Sequence, residues 1–513
     1  MSNARTSRPA QPPQAAPARN GAAPPSNTVR TRFCPSPTGL PHVGLVRTCL
    51  FSWGYARAKG GEFVFRIEDT DAARDTEDSY NQLVEALAWL GMGWDEGPDI
   101  GGPCAPYRQS QRTDIYADVV KRLVEGGYAY EAFSTSEEVE ARHRAAGRDP
   151  KLGYDNFDRT LTEEQKRAFR DEGRKPVYRM RMPEEDITFV DAVRGEVTTP
   201  AGTVPDYVIA RADGSPLYTL TNPVDDALMK VNMVTRGEDL MSSTPRQIVM
   251  WRALIELGLA EAVPEYAHLP LIVDERGKKM SKRDPRSDLL KYKLEGYLPE
   301  GVLNYVATLG WSIAADRDVF TVAEFLDAFD LHDVKSNPAR FDEKKFDAIC
   351  AAHFRMVDPA ELTAMLIPEL QKRDLLPEQP TKDQRHVLDV AVPLVQERCT
   401  TLAQAAEMLR FLFCGVEVEI DQASAKKTFK DDAADVLDAS IAALEDAEWT
   451  TGAIEEALKR ALVDGLGLKP RKAFGPVRVA VSGKAVSPPL YESMELLGRE
   501  VSLARLRAAR ATL

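Results

Sequence analysis

The sequence predicts an α/β protein whose parallel sheet is split by an α+β insertion and followed by a mostly α-helical C-terminal region. Three observations carry this. Residues 28–71 read strand, turn, helix, strand, which is a βαβ unit and implies a parallel sheet. After a weakly patterned, charged stretch, apolar strands and a long helix return near residue 215. Beyond Asn337 the chain reads mostly helical to its end, interrupted by turns rich in proline and charge such as "LLPEQPTKDQR".

Each element has a local reason. "TVRTRF" is a short strand, and "LVRTCLFSWGYARAKG" is a helix ended by Gly60 and Gly61. "EFVFRIEDTD" is a β-branched and aromatic strand with a charged end. "SYNQLVEALAWLGM" is helical, with Leu83, Val84, Leu87 and Leu90 on one face. "RTDIYADVVKRLVEGGYAY" is a further helix, stopped at Gly126 and Gly127. Between Tyr128 and Asp213, "STSEEVEARHRAAGRDP" and "LTEEQKRAFRDEGR" read as charged, exposed helices, while "VYRMRMP" and "GEVTTPAGTVPDYVIARADG" read as strands and turns. "PLYTLTNPVDDALM" and "VNMVTRGEDLMSSTPRQIVMWRALIELGL" restore apolar strands and a long helix. "AHLPLIVDERGKKMSKRDP" is a strand entering a Gly- and Lys-rich loop. "LPEGVLNYVATLGWS" places Val302, Leu303, Val306 and Leu309 on one helical face.

With 513 residues, several cores are expected. The 66 Lys and Arg residues against 79 Asp and Glu give a net charge of −13, which does not exclude a local basic patch that binds phosphate. No apolar run approaches the ~20 residues of a membrane span. Cys34, Cys49, Cys104, Cys350, Cys399 and Cys414 form no CxxC pair and fit reduced cytoplasmic thiols. Residues 1–28 are rich in Pro and Ala and contain no acid. They read as a disordered tail rather than a transit peptide, because their prolines oppose an amphipathic helix.

Three segments could carry chemistry. "RFCPSPTGLPHVGLVRT" sets Pro35, Pro37 and Pro41 before His42-Val43-Gly44 at a helix start. Unpaired N–H groups there attract phosphate, and a glycine lets a nucleotide approach the backbone. "GKKMSKRDP" groups Lys278, Lys279, Ser281, Lys282 and Arg283 without the spacing of a Walker loop. "FRIEDTD" and "VTRGED" put Glu68, Asp69, Arg236 and Glu238 at strand ends, where open sheets bind ligands. Singly, each has an ordinary explanation: a capped proline turn, a solvated basic loop, surface ion pairs.

In combination the segments resemble the class I aminoacyl-tRNA synthetases. Pro41-His42-Val43-Gly44 is similar to that class's HIGH-type signature, and Lys279-Met280-Ser281-Lys282-Arg283 to its KMSKS-type signature. More closely, "RFCPSPTGLPHVG", "FRIEDTD", "VDDALM", "RGEDLMSSTPRQ", "KKMSKRD" and the C-terminal "FGPVRVAVSGKAVSPPLYESMELLGREVSLARL" resemble the glutamyl-tRNA synthetase family from about Val29 onward. The resemblance implies a Rossmann-type catalytic domain (29–110 and 215–265), an inserted acceptor-stem domain (111–214), a KMSKS-loop and stem-contact domain (266–336) and helical anticodon-binding domains (337–513).

It also implies the chemistry. ATP, carrying Mg²⁺, activates L-glutamate, and the glutamyl group passes to the 3′ end of tRNA-Glu. Whether tRNA-Gln is charged too stays open. His42, Lys279 and Lys282 would act on the phosphates; Pro41, His42, Gly44, Glu238, Met280, Ser281, Lys282 and Arg283 would hold the nucleotide. Arg32 and Arg236 would meet the substrate, with Ser36, Tyr218 and Asn222 as neutral partners, Cys34 through its backbone, and Glu68 on the ammonium. The family implies a monomer. Some relatives hold zinc with closely spaced cysteines in the insertion; "YEAFS" and "YDNFDR" have none, so no zinc is expected. Arg340, Arg410, Phe411 and Arg471 are candidates to touch the anticodon.

Three rivals are weaker. "SPTG" and a helical C-terminal half disfavour the glutaminyl relatives. The length beyond Asn337 disfavours a truncated relative that modifies a tRNA base. The presence of Arg32, His42, Glu68, Lys279 and Lys282 disfavours an inactive tRNA-binding paralogue.

Overall fold

The computed structural model describes residues 28–71, 75–281, 284–430 and 432–513. The expected tail up to position 27, and Lys282 and Arg283, lie outside the described residues.

The expected βαβ unit is present. Strand β1 (Arg30–Phe33) leads through the proline loop to helix α1 (Val43–Ala58) and returns as β2 (Glu62–Phe65), parallel to β1 from Arg30 opposite Glu62 to Phe33 opposite Phe65. Almost every side of α1 is buried, including Val46, Cys49, Leu50 and Phe51, as expected of a helix that is apolar all round. Gly54 is the residue that allows one close neighbour: a Cβ there would stand 2.6 Å from the Phe325 ring. Helix α2 (Glu77–Trp89), capped by the Thr76 hydroxyl, buries Leu83, Val84 and Leu87 as its spacing predicts. Helix α3 (Thr113–Glu125) follows.

The insertion contains strand β3 (Ala129–Ala132), helices α4 (Ser136–Ala145) and α5 (Glu163–Asp171), and strands β4 (Val177–Met180), β5 (Ile187–Asp191), β6 (Gly195–Thr199) and β7 (Tyr207–Ala210). Both helices start with capping boxes, Thr135 with Glu138 and Thr162 with Gln165, which lets such polar sequences hold a helical end. Strands β3, β4 and β7 form an antiparallel sheet.

"YTLTNPVDDAL" departs from the expected strand. It is helix α6 (Tyr218–Leu228), with Pro223 inside it. Leu220, Val224 and Ala227 recur at helical spacing and are all buried, and that periodicity outweighs the proline. Then come β8 (Met233–Gly237), helix α7 (Thr244–Glu256) and β9 (Glu265–Leu269), with β8 and β9 parallel. The hairpin β5–β6 joins this second sheet, giving the order β6-β5-β9-β8. Just ahead of β8, the Asn232 N–H donates to the Arg30 carbonyl (3.1 Å), and the Arg30 N–H donates to the Asn232 side-chain oxygen (2.8 Å), which sets β8 beside β1. A core of Val64, Leu220, Val224, Val234, Ile248, Met250 and Leu254 fills the space beneath.

The described residues form two compact units, those of 28–292 with 302–345, and those of 293–301 with 346–513. The second unit is helical. One of its cores gathers Leu362, Leu366, Leu388, Val392 and Val395; the other gathers Leu437, Leu444, Ile454, Val477 and Leu506. Among the described residues, no helix is long and apolar enough to cross a membrane. All six cysteines are free.

Candidate active site

The proline loop is fixed by its own carbonyls. The carbonyl of Pro35 accepts the Glu68 N–H (3.0 Å), that of Pro37 the Thr76 N–H (3.1 Å), and that of Pro41 the Leu289 N–H (3.2 Å). One rigid loop thus ties together the end of β2, the start of α2 and the segment after the basic hairpin.

Behind the loop lies a cleft of about 170 Å³, lined by Arg32, Cys34, Glu68, Tyr218, Thr235 and Arg236 among others. Arg32, from β1, is buried; its Nε donates to both oxygens of Asp226 (3.2 Å each) and its Nη1 to the Thr235 carbonyl (3.0 Å). Glu68, past the end of β2, accepts at Oε1 from Arg66 (3.0 Å) and from the Asn222 amide (2.7 Å). Arg66 also donates to Asp226 at 2.7 Å. Despite burial, the Arg32 and Arg66 guanidiniums hold the Asp226 carboxyl below the usual carboxylate range. Asp225 is held in turn by Gln109 (2.8 Å), Arg112 (2.7 Å) and Tyr116 (2.8 Å), so "VDDALM" supplies the carboxylates beneath the cleft.

Arg236, from β8, is different. Its Nη1 donates to Tyr218 Oη (3.2 Å) and Gln247 Oε1 (2.6 Å), its Nη2 to Thr244 Oγ1 (2.7 Å), and its Nε to His268 Nε2 (3.0 Å). Among the described residues it contacts no carboxylate, although only 3% of it is exposed. Burial pushes the Cys34 thiol up to about 12, and does the same to the Tyr218 phenol, so both stay neutral near pH 7. Ser36 is exposed on the proline loop and does not line the cleft.

A second group gathers at the start of α1. His42 is the N-cap, and its Nδ1 accepts the Leu45 N–H at 3.2 Å. The ring proton of neutral His42 therefore sits on Nε2, making that nitrogen a donor. A Cβ on Gly44 would meet only the His42 ring, at 3.4–3.5 Å, and Ile272 at 4.0 Å, so packing alone does not demand glycine there. Strand β10 (Ile272–Val273) opens the basic hairpin; it pairs with β11 (Ala339–Arg340), and Met280 N–H returns to the Ile272 carbonyl at 2.9 Å. Gly277, at φ +76°, makes the turn, a conformation that disfavours a side chain. His42 bridges to Asp288, which brings the hairpin's far end beside the helix start. Lys279 lies 3.3 Å from Asp239, both largely exposed. Glu238 is occupied by the Leu271 N–H (2.9 Å) and by Arg194.

Sequence reasoning missed Arg66, Gln247, Thr244 and His268. Of the anticodon candidates, Arg410 and Arg471 are exposed on the helical unit, Phe411 is buried, and Arg340 lies on β11 in the first unit. In the insertion, "YEAFS" and "YDNFDR" are joined by the Ser134 N–H donating to Asp158 (3.2 Å) and by the contact of Tyr130 Oη with Tyr154 Oη (3.4 Å), while Tyr130 Oη also donates to Asp206 (2.6 Å). Among the described residues, no three His, Cys, Asp or Glu side chains are grouped to hold a metal.

Comparison with known proteins agrees with this geometry. Residues 28–348 match the family "tRNA synthetases class I (E and Q), catalytic domain", and residues 361–510 match "Anticodon binding domain". The glutamate–tRNA ligase of Saccharopolyspora erythraea is 61% identical over 94% of this chain and 96% of its own. That of Mycolicibacterium smegmatis is 61% identical over 94% of this chain and 98% of its own. The crystal structure of the Elizabethkingia meningosepticum glutamate tRNA ligase in complex with its amino acid superposes with a TM-score of 0.80, at 32% identity, covering 95% of this chain and 100% of that one. The chain therefore belongs to the class I tRNA synthetases of the glutamate and glutamine group, and within them to the glutamate–tRNA ligase family.

Proposed function

We propose that this chain activates L-glutamate with ATP and transfers it to the 3′ end of tRNA-Glu. The observation that carries the reading is Arg236. A buried guanidinium without a carboxylate partner costs several kcal/mol unless an anion joins it. Arg32 and Arg66 are already matched by Asp226 and Glu68, so the cleft retains a cation for a substrate carboxylate, which glutamate has and the side chain of glutamine lacks. Glu68, already oriented by Arg66 and Asn222, takes the substrate ammonium, and Tyr218 adds a neutral hydrogen bond.

In the first step a glutamate carboxylate oxygen attacks the α-phosphorus of ATP and pyrophosphate leaves. The neutral Cys34 and Tyr218 fit a mechanism that uses no enzyme nucleophile and relies on positioning and charge stabilisation. The Nε2–H of His42 and the helix N-terminus serve the phosphates, joined by Lys279, Lys282 and Arg283, while Gly44 leaves room for the nucleotide. Pro41, Glu238, Met280 and Ser281 complete the nucleotide's surroundings, and Mg²⁺ enters on the ATP phosphates. The terminal ribose hydroxyl of tRNA then takes the glutamyl group. Residues 111–214 would seat the acceptor end and residues 337–513 the anticodon, with the enzyme acting as a cytoplasmic monomer.

ATP–pyrophosphate exchange tests the reading. With tRNA-Glu present, exchange should follow glutamate and not glutamine. Exchange driven by glutamine alone would refute it.

A further inference from the structure

The arginine that carries the functional reading is held from behind by a buried relay. Arg236 Nε–H donates to His268 Nε2 at 3.0 Å, and His268 Nδ1 lies 2.6 Å from Asp191 Oδ2. A guanidinium can only donate, so His268 Nε2 must present a lone pair. The ring proton then sits on Nδ1, where Asp191 accepts it. Thr244 agrees with this assignment. Its Oγ1 accepts from Arg236 Nη2, and its own proton can share the His268 Nε2 lone pair, 3.0 Å away, with the Arg236 Nε–H.

Asp191 is in turn fixed by the backbone. It accepts the N–H groups of Val193 (3.0 Å), Arg194 (2.9 Å) and His268 itself (3.1 Å to Oδ2). Both His268 and Asp191 have fully buried side chains, at 0% exposure. The Tyr266 ring stacks on His268, with centroids 5.9 Å apart, and Arg236 lies over the same ring at 5.2 Å. The relay thus reaches from the tip of hairpin β5–β6 to the wall of the cleft.

We propose that His268, locked by Asp191 as the Nδ1–H tautomer, is the positioning residue that aims Arg236 at the glutamate carboxylate. This rests on the reading of Arg236 as the arginine that meets glutamate. The charges facing the ring are Asp191, Arg236 and Arg194. Burial, aided by the two arginines, keeps the imidazole below its ordinary range against the pull of Asp191, so the acceptor nitrogen persists at neutral pH. A residue present only for packing would need neither the acceptor nor the tautomer.

The test compares the holoenzyme with H268L and H268Q in tRNA-Glu charging. H268L fills most of the space but offers no acceptor. Its KM for glutamate should rise about tenfold or more, as expected for one lost hydrogen bond to a charged group, with the ATP KM unchanged within about twofold. H268Q, whose side-chain oxygen can take the place of Nε2, should recover most of that loss. An unchanged glutamate KM in H268L, or equal rises for glutamate and ATP, would overturn the inference while leaving glutamate charging by the wild type intact. Wild-type enzyme that does not charge with glutamate would overturn the functional reading and the inference with it. Nitrogen-15 NMR of histidine-labelled wild type gives an answer independent of any variant's folding: His268 should show a protonated Nδ1 and an unprotonated Nε2, and the reverse would overturn the proposal.

Discussion

The cleft and the basic hairpin use cationic side chains in opposite ways. In the cleft, Arg32 and Arg66 are 2% and 0% exposed, and each is bound to carboxylates of fixed position. On the hairpin, Lys279 and its partner Asp239 are both 59% exposed and meet once, at 3.3 Å. A buried pair costs about 3–5 kcal/mol to break, whereas an exposed pair contributes about 0–1 kcal/mol. On the proposed reading, the amino-acid side is therefore organised before substrate arrives. The hairpin instead offers exposed charge, which the same reading assigns to the ATP phosphates.

The largest effect should come from breaking the cleft network. Arg66→Met leaves Glu68 and Asp226 short of a partner, and should lower the stability of the catalytic unit by about 3–5 kcal/mol in urea unfolding. A loss below about 1 kcal/mol would mean that the cleft is no more rigid than the surface.

Lys282→Ala acts on the other side. It should reduce ATP–pyrophosphate exchange by roughly 100- to 1,000-fold, the usual consequence of removing one donor that stabilises transition-state charge, while tRNA affinity stays nearly intact. Loss of tRNA binding alone would assign the loop to tRNA.

Arg236→Met separates function from stability within the cleft. The glutamate kcat/KM should fall by roughly 100-fold, in line with truncating one partner of a buried charge pair. It should destabilise the free enzyme less than Arg66→Met, by about 1–3 kcal/mol, because it leaves behind only neutral acceptors such as Gln247 Oε1 and His268 Nε2 and no carboxylate. Destabilisation as large as that of Arg66→Met, about 3–5 kcal/mol, would place a protein anion on Arg236.

Gly44→Ala is milder. The added methyl group meets only ordinary contacts, so stability should stay level or rise by less than about 1 kcal/mol, while the ATP KM increases. An unchanged ATP KM would remove Gly44 from the nucleotide site.

The smallest effect is on pH dependence. His268 is held below the ordinary histidine value of 6.5 when folded. Below that value the unfolded chain binds the proton more readily than the folded one. Its contribution is thus complete above pH 6.5 and lost as pH falls through the folded value. The stability difference between wild type and H268Q should shrink on acidification from pH 7 to pH 5; a difference that grows would reverse the sign.

The same contrast explains what the sequence made legible. Arg32, Glu68, Tyr218, Asn222 and Arg236 could be named because they stand in short ordered motifs, and all five meet around one cleft, Asn222 through Glu68. The βαβ start and the helical C-terminal half were legible from periodicity. Arg66 was not, since within "FRIED" it looks like one more strand-end charge, and its partner Asp226 lies 160 residues away. His268 left one usable signal. A histidine inside the apolar run "YAHLPLIV" must be partnered if that strand is buried, but nothing local identifies Asp191 or Arg236 as the partners. The segment of helix α6 was read as an apolar strand, although Leu220, Val224 and Ala227 recur at helical spacing around Pro223.

On the proposed reading, a buried arginine without a carboxylate partner makes this cleft a glutamate site. ATP–pyrophosphate exchange by the wild-type enzyme with tRNA-Glu present, measured side by side with glutamate and with glutamine, tests it most directly. Exchange with glutamate and essentially none with glutamine is expected. Equal or faster exchange with glutamine, or none with either amino acid under any tRNA condition, would contradict it.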